Sequence, residues 1–168
     1  MPNPLYKEEA RYPALEAVLK REPPRIQGLS AGARIHTIDL NEMKSRALAL
    51  DSSYLFIQGP PGAGKTWAGA RLIAHLLENG KRVGVAAQSH KAIHNLLNEI
   101  EKFARENGLS FRGLKKSSGD NPESIYEGEF IKSEPQFKQI AEARDRIQLL
   151  AGTGWLFSRH ELDRSLDY

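Results

Sequence analysis

Cysteine is absent from all 168 residues, which excludes disulfides, thiolate metal sites and a cysteine nucleophile. That absence suits a reducing cytoplasm, and a soluble cytoplasmic protein is the expectation. No apolar run approaches the roughly 18 residues that a membrane helix needs. The opening MPNPLYKEEA has no apolar core of the signal-peptide kind. Aromatic residues make up 8% and hydrophobic residues 40%, enough for one core but lean. Metal-ligand spacing is also lacking: His36, His75, His94 and His160 show none with one another or with carboxylates. His90 and His94 lie one helical turn apart, but without a third ligand they do not make a site. No Ser–His–Asp constellation, internal repeat or low-complexity tract is present.

Charge is nearly balanced, at +3 overall, yet unevenly spread. Residues 51–118 carry ten basic and five acidic side chains, whereas residues 119–168 carry six basic and ten acidic. A basic centre suits a polyanionic ligand, although a mixed surface gives the same sum. Arg112, Lys115 and Lys116 form a local basic cluster; a solvated loop is the expectation, a backbone-tracking patch the alternative.

Apolar spacing predicts a helix over 5–21, divided or opened by Pro13. REPPRIQGLSAG follows as a linker. A second helix is predicted over 40–50, with Asp39 as cap and Glu42 as reciprocal partner. SYLFIQ, residues 53–58, reads as a buried strand. Helix over 65–79, strand over 82–87 and helix over 90–107 come next, the helices stopped by Gly80 and Gly108. Beyond them the pattern gives a short strand over 111–114, one or two helices in 123–146 broken near Pro135, a core strand over 147–153, and a helical turn or two over 158–164. Alternating strand and helix predicts an α/β fold, a parallel sheet flanked by helices. The expected division is an N-terminal helical and linker segment, 1–38, and a partial P-loop domain, 39–168.

Residues 59–66 read GPPGAGKT and satisfy G-x-x-x-x-G-K-[ST] in full, between a predicted strand and a predicted helix. The pattern has a physical reason. Gly62 and Gly64 let backbone N–H groups turn toward one centre. The helix beginning near Lys65 adds its positive end and unpaired amides. Lys65 brings a mobile cation to the β and γ phosphates, and Thr66 can ligate a magnesium ion bridging them. Pro60 and Pro61 stiffen the approach. The loop is therefore expected to hold a nucleoside triphosphate, most simply ATP with Mg2+. Its cofactor-binding set is Gly59, Pro60, Pro61, Gly62, Ala63, Gly64, Lys65, Thr66 and Trp67, with Lys65 and Thr66 as the catalytic pair and Thr66 as metal ligand. Trp67 either stacks on a base or packs inward. A glycine-rich turn without ligand is the bland alternative.

QGPPGAGKT is similar to the loops of superfamily 1 helicases and AAA+ ATPases, and VGVAAQSHKAIHNLL resembles helicase motif Ia. AGTGWLFSR resembles the element that precedes the acidic strand in superfamily 1. Together, residues 54–168 resemble the first RecA-like domain of superfamily 1 DNA/RNA helicases, most of all the branch that includes helicases fused to RecB-type nucleases. The resemblance implies that Gln88, Ser89, His90, Lys91 and Thr153 contact single-stranded nucleic acid, DNA before RNA. It also implies that further helicase domains, and a nuclease domain, accompany this one. Locally, Ser89 reads equally well as a helix cap. The chain departs from the family in two places. LNEMKSRALAL carries Met43 and Lys44 where the family has an adenine-reading glutamine, so base selectivity is open. No apolar strand ending in Asp-Glu follows Thr66, although a hydrolytic site needs one for magnesium and water. In the family, SLDY would begin that strand, so this piece alone is expected to hydrolyse little or no ATP. The competing readings are a small-molecule or nucleotide kinase, which would need an arginine-rich lid, and a non-enzymatic domain that keeps the loop as scaffold.

Overall fold

The computed structural model describes residues 12–30 and 32–168. The chain divides into two compact units, Met1–Gly59 and Pro60–Tyr168.

In the first unit, helix α1 (Pro13–Lys20) opens with proline at its first position, where no intrahelical N–H is needed. The earlier part of the helix expected over 5–21, residues 5–11, lies outside the described residues. Helix α2 (Leu40–Leu48) is capped by Asp39, whose carboxylate accepts from Glu42 N at 2.8 Å. The reciprocal half of the expected capping box does not form. Asp39 N bonds the Thr37 hydroxyl instead, and Glu42 pairs with Arg46 one turn on. The segment after α2 folds back on residues 22–27: Gln27 N donates to Ala49 O, Asp51 N to Arg25 O, and Tyr54 OH to Glu22 O.

The strand expected over 53–58 is a correction. These residues carry no regular secondary structure and join no ladder, and Phe56 is 79% exposed. A β-propensity run becomes a strand only when a neighbour offers its N–H and C=O groups. Here the nearest pairing is one isolated bridge, Ile26 to Leu50.

The second unit is a four-stranded, wholly parallel sheet with helices packed on it. Helix α3 (Lys65–Glu78) precedes strand β1 (Val83–Ala86), then helix α4 (His90–Asn107), strand β2 (Gly113–Lys116), strand β3 (Ile131–Glu134), helix α5 (Phe137–Ala143), strand β4 (Leu149–Gly152) and the short helix α6 (Gly154–Phe157). The strand order is β1-β4-β2-β3, with register Val83↔Leu149 on one side of β4 and Gly113↔Leu149 on the other. Strand β4 is therefore central, and all four of its residues are buried. Side chains alternate across a strand. Leu150 joins Ile140, Ile147, Leu156 and Leu162 on one face, while Leu149 and Ala151 serve the other. Helices α3 and α4 pack against each other, and α4 buries Ile93, Leu97, Ile100 and Ala104 completely.

Strand β3 lies inside the region read as one or two helices. IKSE carries one apolar residue, so its local pattern is silent; the strand is anchored from outside. Glu101, on α4 and 2% exposed, accepts from the backbone N–H of Glu129, Phe130 and Ile131 at 3.1, 3.0 and 2.9 Å. At the other edge, Gly84 N donates to Tyr168 O, and Asp167 N and Tyr168 N donate to Arg82 O. The final residues thus run beside β1. No helix among the described residues is long and apolar enough to cross a membrane.

Candidate functional site

Residues 60–66 form a tight loop rather than an extended segment. Ala63 N donates to Pro60 O at 3.2 Å, closing a turn. Gly62 and Gly64 have φ of +80° and +78°, and a side chain added at either would meet nothing within 4 Å. They are needed for backbone conformation, not for room. Gly64 is the N-cap of α3 and offers no side chain to the first amides, and the first turn of α3 has no acidic residue. The positive end of a 14-residue helix is thus left available to an anion. The Lys65 ammonium donates to Pro60 O at 2.8 Å, so it lies across the loop. These features are compatible with a triphosphate: an uncapped helix end and an ammonium belong to one loop, and Thr66, beside Lys65, can supply a hydroxyl to a magnesium ion. Gly59, the first residue of the motif, closes the first unit. Trp67 is about half exposed, and the Arg71 guanidinium lies 3.8 Å over its ring. That face of the indole is taken by a cation that also approaches Phe103.

A second feature stands at the carboxyl ends of β1 and β4. Ala86, Ala87, Gln88, Thr153, Gly154 and Trp155 line an open crevice of about 540 Å³. Open parallel sheets bind ligands outside the carboxyl ends of their strands. Of the residues assigned to nucleic acid, Gln88 and Thr153 meet in this crevice, and Ser89, His90 and Lys91 continue from it into α4. Ser89 is the N-cap, and its hydroxyl accepts from Ala92 N at 3.2 Å. The capping role read locally is the one its oxygen performs, and the hydroxyl proton still has a partner to find. Thr153 is the N-cap of α6, with no side-chain cap bond. Trp155 is 84% exposed and was missed from the sequence; an aromatic three residues past the end of a core strand was the signal available.

His90 turns inward. Its Nδ1 lies 3.1 Å from Lys115 Nζ, so the ammonium donates to it and the ring's own proton sits on Nε2. Lys115 is completely buried, which corrects the reading of Arg112, Lys115 and Lys116 as one solvated cluster. Strand alternation in β2 points Lys115 into the core beside Gly113 and leaves Lys116 half-buried. Lys115 also bonds the Ser124 carbonyl. Burial, then the charge of Lys116, pushes its ammonium down to about 8. Burial and the nearby Lys115 charge lower the pKa of both His90 and His94. His94 lies against Tyr126 with ring centroids 5.3 Å apart and planes tilted by 48°, and its buried Nε2 has no hydrogen-bond partner. Among the described residues no group of three or more His, Asp and Glu side chains could hold a metal ion.

No protein-family model matches the chain, and no solved structure matches it. Over 161 residues the chain is 29% identical to Regulator of nonsense transcripts 1 of Caenorhabditis elegans, an alignment that takes in 94% of this chain and 14% of the length of that relative.

Proposed function

We propose that this chain is the ATP-binding portion of a superfamily 1 nucleic-acid helicase or translocase motor. It would contribute the phosphate site of residues 59–66 and part of the surface that holds a single strand. The observation that carries the reading is the loop: two glycines held at positive φ, an uncapped helix end, and a lysine ammonium folded over them. Similarity to Regulator of nonsense transcripts 1 across nearly the whole chain supports a superfamily 1 helicase-type motor. That relative is named for transcripts, so an RNA strand stands beside DNA as the polymer to test. A nuclease domain in the parent protein draws no support from the similarity.

In this reading the loop amides and Lys65 hold the β and γ phosphates, and Thr66 ligates magnesium. Hydrolysis of the ATP held there would, in the whole motor, supply the free energy for movement along the strand. Gln88, Ser89 and Thr153 donate to backbone phosphates, and Lys91 adds charge. His90 offers a neutral N–H through Nε2.

Thermal unfolding with Mg-ATP tests the reading. The melting temperature should climb with ligand concentration, by the equivalent of about 2.7 kcal/mol at a hundredfold excess over Kd, and Lys65→Ala should abolish the climb. An unmoved melting temperature in the unaltered protein at millimolar Mg-ATP would remove the proposal. The same 168 residues should turn over little ATP, because the Asp-Glu strand that holds magnesium and positions water does not follow Thr66.

A further inference from the structure

The backbone at Trp155 is tied to its surroundings while its ring stays outside. Its neighbour Leu156 is 4% exposed and belongs to the cluster with Ile140 and Leu150. A side chain on Gly152 would lie 2.5 Å from Leu156 Cδ2, so the end of β4 and helix α6 are pressed together. Ser158 N donates to Gly154 O, and the Ser158 hydroxyl donates to Trp155 O at 2.9 Å. These contacts fix the backbone of Trp155, yet the indole is 84% exposed. The cations that cover aromatic rings in this unit lie on Trp67, Phe103 and Phe137 instead.

The surroundings of the indole favour one class of occupant. Ala86, Ala87 and Gly154, all small, line the crevice beside the indole. Gln88 and Thr153 add hydrogen-bonding groups, and no acidic residue lines the crevice. The adjoining start of α4 has no acid in its first turn and carries Lys91, so the approach suits a polyanion. A protein segment would find an apolar lining of two alanines and the indole, with Trp155 as its one large apolar side chain. A nucleic-acid strand would find a charged approach for its backbone and a rigid aromatic face for a base.

We propose that the exposed indole of Trp155 is a stacking platform for one base of a single nucleic-acid strand whose backbone passes Gln88 and Thr153. This rests on the reading of the crevice as part of a strand-binding surface, and adds that the contact is with a base as well as with phosphate. Binding there is then sequence-tolerant but base-dependent, since every base has a π face.

Two fluorescein-labelled strands of about 12 nucleotides, a length within the range of single-strand sites, separate the possibilities: oligothymidylate and the same backbone with abasic residues. Anisotropy titrations should show the unaltered protein binding oligothymidylate more tightly. Trp155→Ala should weaken oligothymidylate binding by about 5- to 150-fold, the range of one stacked base. It should leave abasic binding and the salt slope unchanged, and Trp155→Phe should restore most of the loss. Equal effects of Trp155→Ala on both strands, or none on either, would overturn the stacking proposal and leave the strand-binding surface standing. If the unaltered protein binds neither strand, the surface itself is misassigned and the stacking proposal falls with it. A Trp155→Ala change that only turns a dimer into a monomer, seen by sedimentation, would assign the indole to a self-contact and overturn the proposal.

Discussion

Lys115 shows what a single buried charge does in this molecule. Its ammonium is enclosed on the central part of β2, donates to Ser124 O and His90 Nδ1, and is held down to about 8 from 10.5. His94, Lys116 and Glu123 are the other titrating groups that act on this cluster from α4, β2 and the 3-10 turn Pro122–Ser124. A depressed amine penalises the folded state wherever both states are protonated, below about pH 8. Between 8 and 10.5 the unfolded chain keeps the proton that the folded chain has lost, so stability rises with pH, at most by about 1.4 kcal/mol per pH unit. Tyr126 works in the opposite sense. Burial pushes it up to about 12, so its contribution is intact below its ordinary value of 10 and fades above it. His90 and His94, both lowered from 6.5, cost stability as pH falls through and below 6.5. Urea unfolding at several pH values should therefore find stability rising from about pH 8 to pH 10, and Lys115→Met should flatten that rise. A slope that survives the substitution would show that another group is responsible. The sequence could not reveal this lysine, because GLKK announces its alternation only once strand β2 and its register are known.

At the scale of elements, the clasp between α4 and β3 replaces a missing pattern. Three backbone donors converge on the Glu101 carboxylate, which also pairs with Arg105 at 3.6 Å. Removing the acceptor leaves Phe130 N and Ile131 N unsatisfied, at about 1–3 kcal/mol for each buried donor. Glu101→Ala should cost about 2–4 kcal/mol in urea unfolding, and Glu101→Gln, which keeps one acceptor oxygen, clearly less. A side chain at Gly128 would overlap Glu101 Oε1 and lie 2.7 Å from its Cδ, so Gly128→Ala should break the same clasp. The double variant should then lose less than the sum of the single losses; full additivity would mean that the two positions do not share one interaction. This arrangement explains which elements were legible. Helix α4 was read to the residue, because Ser89 caps it, Gly108 at φ +68° ends it, and a continuous apolar stripe lies between. Strand β3 was invisible because its cause sits some thirty residues away on α4. The segment 53–58 failed in the reverse direction: its composition suits a strand, but no ladder partner lies beside it among the described residues. The conformation of residues 60–66 was legible, because the spacing places glycines at the two positive-φ positions and starts α3 at Lys65. Trp155 was not, since α6 spans only Gly154–Phe157 and carries no periodicity.

Across the whole molecule, apolar burial is unequal. The unit Pro60–Tyr168 holds a central strand buried along its whole length and an 18-residue helix with four completely buried apolar side chains. The described buried apolar residues of the unit ending at Gly59 are Ala17, Ile26 and Ala47, two of them only a methyl group. Burial contributes roughly 25 cal/mol per Å² of apolar surface, so the first unit has far less to oppose the entropy of its own chain. Opening free energies should therefore differ within one polypeptide. Native-state hydrogen exchange followed by mass spectrometry should show the amides of β4 and the middle of α4 exchanging only through global unfolding, with a strong denaturant dependence. Amides of α1 and α2 should exchange faster, through local openings that denaturant hardly affects. Protection of α2 equal to that of β4 would mean that the two units unfold as one, and that the small buried set of the first unit is not what limits its stability. Mg-ATP sharpens the contrast if the loop of residues 60–66 binds it: protection should then grow at the start of α3, where the uncapped amides lie, and leave α1 unchanged.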